Sequence, residues 1–129
     1  MKRILIAEDE PSIVLSLEFL LAEAGYEVFT ARNGMDALAL AEKWRPDLLM
    51  LDVMLPVVNG FEVCRTLRAD PSHRDMRILM LTARGREHEV ARGIALGANA
   101  YVTKPFGTRE LMKTVSELLG ENASPQGAP

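Results

Sequence analysis

Short apolar runs alternate along this sequence with longer segments whose apolar residues recur at helical spacing, and this alternation constrains the fold most strongly. Five runs have the length and the aliphatic content typical of β-strands. Three of them are continuously apolar, as expected of parallel strands that are covered on both faces. The five predicted strands are residues 4–7, 27–30, 48–51, 78–81 and 100–103.

The segments between these runs have the periodicity of amphipathic helices. The first carries an apolar stripe from Ile13 to Ala24 and stops at Gly25, a residue favoured after helix C-caps. The second begins at Asn33, a preferred N-cap residue, with Asp36 in its first turn. Five strand–helix units in a row predict a single α/β domain with an open, doubly wound parallel sheet.

Composition excludes several classes of protein. A chain of 129 residues fits one domain, and its net charge of -3 leaves no broad basic surface for nucleic acid or anionic lipid. Cys64 is the only cysteine, so neither an internal disulfide nor a cysteine-built zinc site is expected. There is no signal-peptide core and no apolar run that approaches the roughly 20 residues of a membrane span. We therefore expect a cytoplasmic protein that contacts neither membranes nor nucleic acid.

Polar residues follow four of the five apolar runs. Glu8 and Asp9 follow the first, Asp52 the third, Thr82 the fourth and Lys104 the fifth. Ligands of such sheets bind beyond the carboxyl ends of the strands, and neighbouring strands lie about 4.8 Å apart. These side chains are therefore expected to converge on one site.

Asp52 is the most informative residue of this set. It is the only polar residue between Leu48 and Val58, and a carboxylate in a buried apolar run is costly unless it is neutralised. Three carboxylates with a single ammonium need a further cation, and Mg²⁺ is the hard, oxygen-binding ion that fits best. A metal here favours a phosphoryl ligand, so Asp52 is a candidate nucleophile that forms an aspartyl-phosphate, with Lys104 and Thr82 stabilising the charge.

Each of these residues, taken alone, has a simpler interpretation. Glu8 and Asp9 could favour the positive end of the helix that Pro11 begins. Thr82 could cap the following helix, and Lys104 could be a solvated strand end. Because all of them fall at strand ends, a shared site is the better interpretation.

Four motifs, in this order and at these distances, resemble the receiver domain of bacterial two-component response regulators, including the chemotaxis regulators. They are "ILIAEDE", "LLMLDVMLPVVNG", "ILMLTA" and "GANAYVTKPF". The resemblance covers residues 1–119 and implies a flavodoxin-like (βα)5 domain with strand order 2-1-3-4-5. Residues 120–129 lack large apolar side chains and are expected to be a flexible tail or a truncated linker.

The resemblance implies how a phosphoryl group would be accepted. Asp52 would take it from the phosphohistidine of a sensor histidine kinase or of a phosphotransfer protein. Glu8, Asp9, Asp52 and the backbone carbonyl of Met54 would hold Mg²⁺. The protein would catalyse only its own phosphorylation and dephosphorylation, so it is not expected to be an enzyme with an independent substrate.

The resemblance also implies a switch. Lys104 and Thr82 would bind phosphoryl oxygens, and the Lys104–Pro105 peptide bond would be cis, as is usual in the family. Tyr101 would turn inward as Thr82 moves. The surface around Thr82 and Tyr101 would then change its affinity for a downstream partner that the sequence does not identify.

Several positions depart from the family pattern. Val57 stands where glycine or a polar residue is more usual. Asn99 and Ala100 replace the Asp-Asp pair of many DNA-binding members, and Arg109 and Lys113 are the only basic residues of the last helix. A salt-bridged dimer through this face is therefore disfavoured, and a monomer or a dimer through another face is expected.

Other functions fit the sequence less well. An aspartate-nucleophile phosphatase would need a second carboxylate two residues after Asp52, where Met54 stands. A flavodoxin-like redox carrier would need a phosphate-binding loop in place of "AEDEPS". A degenerate receiver that acts only as a docking module would not need the complete set of acids, threonine and lysine. A metal site built on histidines is not expected, because His73 and His88 lie in separate segments of the chain.

Overall fold

The five apolar runs form the strands of one parallel sheet. The computed structural model describes residues 1–86 and 88–121, so residues 122–129 of the predicted tail lie outside the described part. The strands are β1 (Arg3–Ala7), β2 (Glu27–Ala31), β3 (Leu48–Asp52), β4 (Arg77–Ala83) and β5 (Ala100–Lys104). The helices are α1 (Pro11–Glu23), α2 (Gly34–Trp44), α3 (Gly60–Ala69), α4 (His88–Ala95) and α5 (Thr108–Leu118), with a short 3₁₀ turn at Pro71–His73.

The strand order is β2-β1-β3-β4-β5, and every neighbouring pair is parallel. The predicted doubly wound, flavodoxin-like architecture is thus confirmed. Buried side chains form one core between the sheet and α2 and α3, and a second core between the sheet and α1 and α5. Successive residues of β1 and β3 contribute to opposite cores, which explains why these strands are apolar throughout. Within residues 1–86 and 88–121, no helix has the length and apolarity needed to cross a membrane.

The strands that carry the candidate site extend further than the sequence predicted. Asp52 is the last residue of β3, Thr82 is the penultimate residue of β4, and Lys104 ends β5. The prediction ended these strands at residues 51, 81 and 103, one or two positions too early. Backbone pairing continues regardless of side-chain polarity, with Asp52 opposite Leu81 and Thr82 opposite Thr103. The polar groups are therefore held by the sheet and not by loops.

Two glycines allow the chain to pack closely around the end of β3. A Cβ on Gly60, the first residue of α3, would overlap the backbone oxygen of Asp52. A Cβ on Gly34, the first residue of α2, would overlap the backbone oxygen of Val58. Any larger residue would displace one of these helix starts, so both glycines help to fix the loop beside Asp52.

The loop after β3 contains one strained residue. Val57 has φ +72°, in the left-handed region that costs an L-residue about 1–2 kcal/mol. The N–H of Val58 donates to the carbonyl of Pro56 at 2.8 Å and closes a tight three-residue turn around Val57. The same carbonyl accepts from the N–H of Gly34 at 3.1 Å, which joins the turn to α2. The Val57 side chain is 72% exposed, so packing does not offset this cost.

Replacing Val57 by glycine is expected to raise the free energy of unfolding by about 1 kcal/mol, because relief of the strained φ outweighs the extra freedom of glycine in the unfolded chain. Urea denaturation would measure the change. Val58→Gly is the matched control, since Val58 has no positive φ and should lose stability on the same substitution. A Val57→Gly variant less stable than wild type would contradict this account of the loop.

Candidate functional site

Three charged side chains meet at the carboxyl edge of the sheet. Lys104 Nζ lies 2.8 Å from Glu8 Oε1 and 3.4 Å from Asp52 Oδ2. Glu8 is fully buried, Asp52 is 4% exposed, and about four fifths of the Lys104 side chain is covered. In such surroundings, charges are tolerated only when they are paired. The structure thus brings together residues that lie almost a hundred positions apart in the sequence.

These contacts exclude the simpler interpretations of Glu8 and Lys104. Glu8 pairs with Lys104, and its other oxygen, Oε2, accepts from the backbone N–H of Glu10 at 3.1 Å. The helix that follows has Glu10 as its N-cap and no side-chain cap hydrogen bond. Glu8 therefore serves the strand-end cluster, and Lys104 is not a solvated strand end.

The environment of Asp52 favours its neutral form. Burial is the main cause and the charge of Glu8 the second, and together they raise the pKa of Asp52 to about 6. Lys104 and the backbone N–H of Met54, which donates to Asp52 Oδ1 at 3.2 Å, offset part of this effect. For Lys104, burial lowers the pKa, but the hydrogen bond to Glu8 and the charge of Asp52 outweigh it and leave the pKa raised. The cluster has one carboxylate more than its ammonium can neutralise.

An exposed acid completes a possible metal site. Glu8, Asp9 and Asp52 each offer a carboxylate oxygen, and these atoms lie within 4.8 Å of one another. Glu8 and Asp52 are buried, whereas Asp9 is exposed and leaves the site open to solvent. An all-oxygen donor set with excess negative charge suits Mg²⁺. The residues present therefore fit the predicted ion, and the backbone carbonyl of Met54 as a further ligand stays a prediction.

Thr82 lies at the same edge with its hydroxyl unused. The residue is 1% exposed, and its Oγ1 has no hydrogen-bond partner anywhere in residues 1–86 and 88–121. Because Thr82 is in β4 and α4 begins at His88, Thr82 is not a helix cap. A buried hydroxyl without a partner costs about 1–3 kcal/mol. This cost is removed if a ligand at the site supplies an acceptor.

Tyr101 does not belong to the charged cluster. Its residue is 48% exposed on β5, opposite Met80 of β4 in the strand pairing. The Lys104–Pro105 peptide bond is cis, as the family resemblance implied.

Glu89 was not identified from the sequence. It is 8% exposed at the start of α4, and its Oε2 accepts from Arg86 Nε and Nη2 at 2.9 and 2.7 Å. Together with Asp9 and Met54 it lines a cavity of about 400 Å³ beside the site. The spacing of Arg86 and Glu89 at i and i+3 was the available signal, but this spacing is typical of surface ion pairs and does not indicate burial.

Comparison with known proteins decides the family. The family model described as "Response regulator receiver domain" matches residues 4–116. The chain belongs to this family. It is 47% identical over 118 residues to the alkaline phosphatase synthesis transcriptional regulatory protein PhoP of Bacillus subtilis, covering 92% of this chain and 48% of that protein. It is 46% identical to the phosphate regulon transcriptional regulatory protein PhoB of Rhizobium meliloti, covering 91% and 52%. The receiver domain thus spans about half the length of these relatives.

Solved structures of receiver domains have the same fold. The chemotaxis response regulator CheY4 of Vibrio cholerae superimposes with a TM-score of 0.86 at 37% identity, over 92% of this chain and 98% of that one. The receiver domain of the sensor histidine kinase PA1611 of Pseudomonas aeruginosa, solved with a magnesium ion in its active site cleft, gives 0.85 at 32% identity over 93% and 98%. The fold is therefore that of receiver domains of two-component systems.

The raised pKa of Asp52 predicts a pH-dependent gain in stability for Asp52→Asn when EDTA removes divalent cations. Between the ordinary pKa of 3.8 and about 6, the folded chain holds the Asp52 proton more tightly than the unfolded chain does. The stability of the wild type therefore falls as the pH rises through this window. The variant cannot ionise, so we expect it to be more stable by about 1–3 kcal/mol near neutral pH.

Near pH 4 the difference should largely vanish, since Asp52 is then protonated in the folded wild type. Urea denaturation at the two pH values measures it. Asp75→Asn, at an exposed carboxyl, is the control and should change little at either pH. An Asp52→Asn variant with the same gain at both values would mean that charge is not the cause.

Proposed function

We propose that this receiver domain accepts a phosphoryl group on Asp52 from a histidine kinase or a phosphotransfer protein, in a reaction that depends on Mg²⁺. The observation that carries the proposal is the buried contact of Asp52 with Lys104 and Glu8, with Asp9 open to solvent beside them. This arrangement offers a nucleophile, a cation for phosphoryl oxygens and oxygen ligands for a metal.

The transfer itself is a simple exchange of bonds. A carboxylate oxygen of Asp52 forms a bond to phosphorus while the bond from phosphorus to the donor histidine nitrogen breaks. Mg²⁺, when bound, supplies positive charge that keeps Asp52 ionised and offsets the charge of the phosphoryl oxygens. Lys104 Nζ, already 3.4 Å from Asp52 Oδ2, needs only a small movement to reach a phosphoryl oxygen.

The proposed conformational switch rests on the Thr82 hydroxyl, which has no hydrogen-bond partner in the described residues. A phosphoryl group on Asp52 adds acceptor oxygens to a cluster whose Thr82 Oγ1 lacks one. Movement of Thr82 toward them would vacate space behind β4, and the half-exposed ring of Tyr101 lies on the adjacent strand. We propose that Tyr101 then turns inward and changes the surface that a downstream partner contacts.

A phosphodonor has room to approach beside Lys104. A cavity of about 390 Å³ lies between α1 and the segment after β5, with Ile13, Pro105 and Phe106 in its lining. Such an apolar hollow suits a donor protein that must bring a histidine close to the buried Asp52.

Asn99 supports the proposal of a monomer. Its Oδ1 accepts from the backbone N–H of Ile78 at 2.8 Å and from Arg68 Nη2 at 2.7 Å. Its amide is neutral and offers no charge for intersubunit pairing, whereas an aspartate at this position would. We also propose that the protein is cytoplasmic and that it catalyses only its own phosphorylation and dephosphorylation.

An aspartate-nucleophile phosphatase is not favoured. The residue two positions after Asp52 is Met54, whose side chain is 60% exposed and carries no group that can transfer a proton. A pure docking module is not favoured either. Burying paired charges carries a desolvation cost, and a module that only binds partners has no need of them.

The proposal predicts a phosphoryl adduct on the wild-type protein after incubation with acetyl phosphate and MgCl₂, and none on Asp52→Asn. Intact mass spectrometry measures it, and EDTA should prevent it. Asp75→Asn is the matched control and should be modified like wild type. An adduct that persists in Asp52→Asn would remove Asp52 from its role, and no adduct on wild type would favour the docking module.

The switch predicts that Thr82→Ala can still be phosphorylated but no longer moves Tyr101. With fluorotyrosine incorporated, ¹⁹F NMR should show a shift of the Tyr101 resonance on phosphorylation of wild type and a much smaller shift in the variant. Tyr26→Phe assigns the other tyrosine signal. Thr30→Ala, on the far edge strand, should behave as wild type. An unchanged Tyr101 signal in phosphorylated wild type would refute the proposed movement.

A further inference from the structure

A second group of metal-binding side chains lies outside the phosphorylation site. Glu42 is on α2, Asp70 lies between α3 and the 3₁₀ turn, and His73 ends that turn. Each offers one ligand atom, and the three atoms lie within 4.8 Å of one another. The turn leads into the amino end of β4, so this group and Asp52 occupy opposite ends of the sheet.

Two of the distances among the three atoms are close to those between ligands of a tetrahedral metal site. His73 Nε2 lies 3.2 Å from Glu42 Oε1 and 3.8 Å from Asp70 Oδ2. Ligands bound to a tetrahedral Zn²⁺ at about 2.0–2.1 Å are themselves about 3.3 Å apart. The His73–Glu42 spacing is thus already that of a shared ion, and Asp70 would have to approach His73 by about half an ångström.

Each carboxylate presents its otherwise unused oxygen to His73. Glu42 Oε2 accepts from Arg45 Nη2 at 3.0 Å, which leaves Oε1 for the histidine. Asp70 Oδ1 accepts from the backbone N–H and the hydroxyl of Ser72 at 3.0 and 2.8 Å, which leaves Oδ2. The two bonds from Ser72 are the main reason that the pKa of Asp70 is lowered.

His73 is the fixed member of the group. It is 3% exposed, whereas Glu42 and Asp70 are exposed at the surface. In the metal-free protein its Nε2–H donates to Glu42, while Nδ1 accepts from Arg45 Nη1 at 3.3 Å. A metal on Nε2 requires the proton on Nδ1, which breaks that contact with Arg45. Because a guanidinium only donates, the exposed side chain of Arg45 must then turn away from the ring, and this movement is a cost of metal binding.

We propose that Glu42, Asp70 and His73 form a binding site for Zn²⁺, with water as the fourth ligand. One imidazole nitrogen and two carboxylates suit Zn²⁺ and disfavour Mg²⁺, which prefers oxygen ligands alone. From the sequence, no metal site was expected at His73, because His88, the other histidine, lies in a separate segment. In the folded chain the further ligands are carboxylates, from Glu42 of α2 and from Asp70 at the end of α3. A bound ion would cross-link these elements and stabilise the fold.

Isothermal titration with ZnCl₂ in excess MgCl₂, which keeps the phosphorylation site occupied, tests the proposal. We expect one Zn²⁺ per chain and at least about 10-fold weaker binding in Glu42→Gln and in Asp70→Asn, both surface changes that leave the fold intact. His73→Gln should abolish binding, and His88→Gln, at the exposed histidine of α4, is the matched control and should bind as wild type.

Two further measurements make the test decisive. Co²⁺ in place of Zn²⁺ should give the intense visible absorption of a tetrahedral site, and Zn²⁺ should raise the melting temperature of wild type but not of Glu42→Gln. Binding that is equally weakened by His88→Gln, or unaffected by Glu42→Gln and Asp70→Asn, would mean an adventitious ion only and would overturn the proposal. Phosphorylation by acetyl phosphate is scored separately, so failure of one proposal leaves the other untouched.

Discussion

The contact of Lys104 with Glu8 and Asp52 is the interaction on which the rest of the structure depends. It joins the carboxyl ends of β1, β3 and β5, although β4 lies between the last two. Burying these charges is costly, and one ammonium cannot neutralise two carboxylates. The remaining negative charge and the Thr82 hydroxyl, which has no hydrogen-bond partner in the described residues, both destabilise the domain. The proposed ligands, a cation and a phosphoryl group, would correct both. The site is therefore destabilising by itself and complementary to its proposed ligands.

Tight backbone packing fixes the position of Asp52. Gly60 begins α3 directly against the Asp52 carbonyl, and Gly34 begins α2 against the loop that follows β3. The Pro56 carbonyl accepts the N–H of Val58 within that loop and the N–H of Gly34 from α2, at the cost of a strained Val57. A buried carboxylate that must meet a phosphorus atom benefits from such restraint, because misplacement of a nucleophile is costly to its rate. Backbone strain in the loop thus accompanies the close packing around Asp52, the proposed nucleophile.

The sequence predicted the sheet and the convergence of the site well, for a physical reason. Parallel strands covered on both faces must be apolar, so polar residues at their ends stand out, and topology brings those ends together. Exact strand ends were missed because backbone pairing ignores side-chain polarity, as at Thr82. The positive φ of Val57 and the burial of Glu89 and His73 were not predictable, since they depend on how separate elements pack.

The two proposed metal sites lie at opposite ends of the sheet, but the more important difference between them is the type of their ligands. At the carboxyl edge, three carboxylates and a lysine form an oxygen-rich, charge-unbalanced site open through Asp9, which suits an ion that keeps water and exchanges quickly. At the opposite end, one buried imidazole fixes the geometry while two surface carboxylates close around it, which suits an ion that prefers nitrogen and holds its ligands firmly. Excess Mg²⁺ therefore competes at the first site and not at the second. The two proposed sites of one fold would thus select different ions by the chemistry of their ligands.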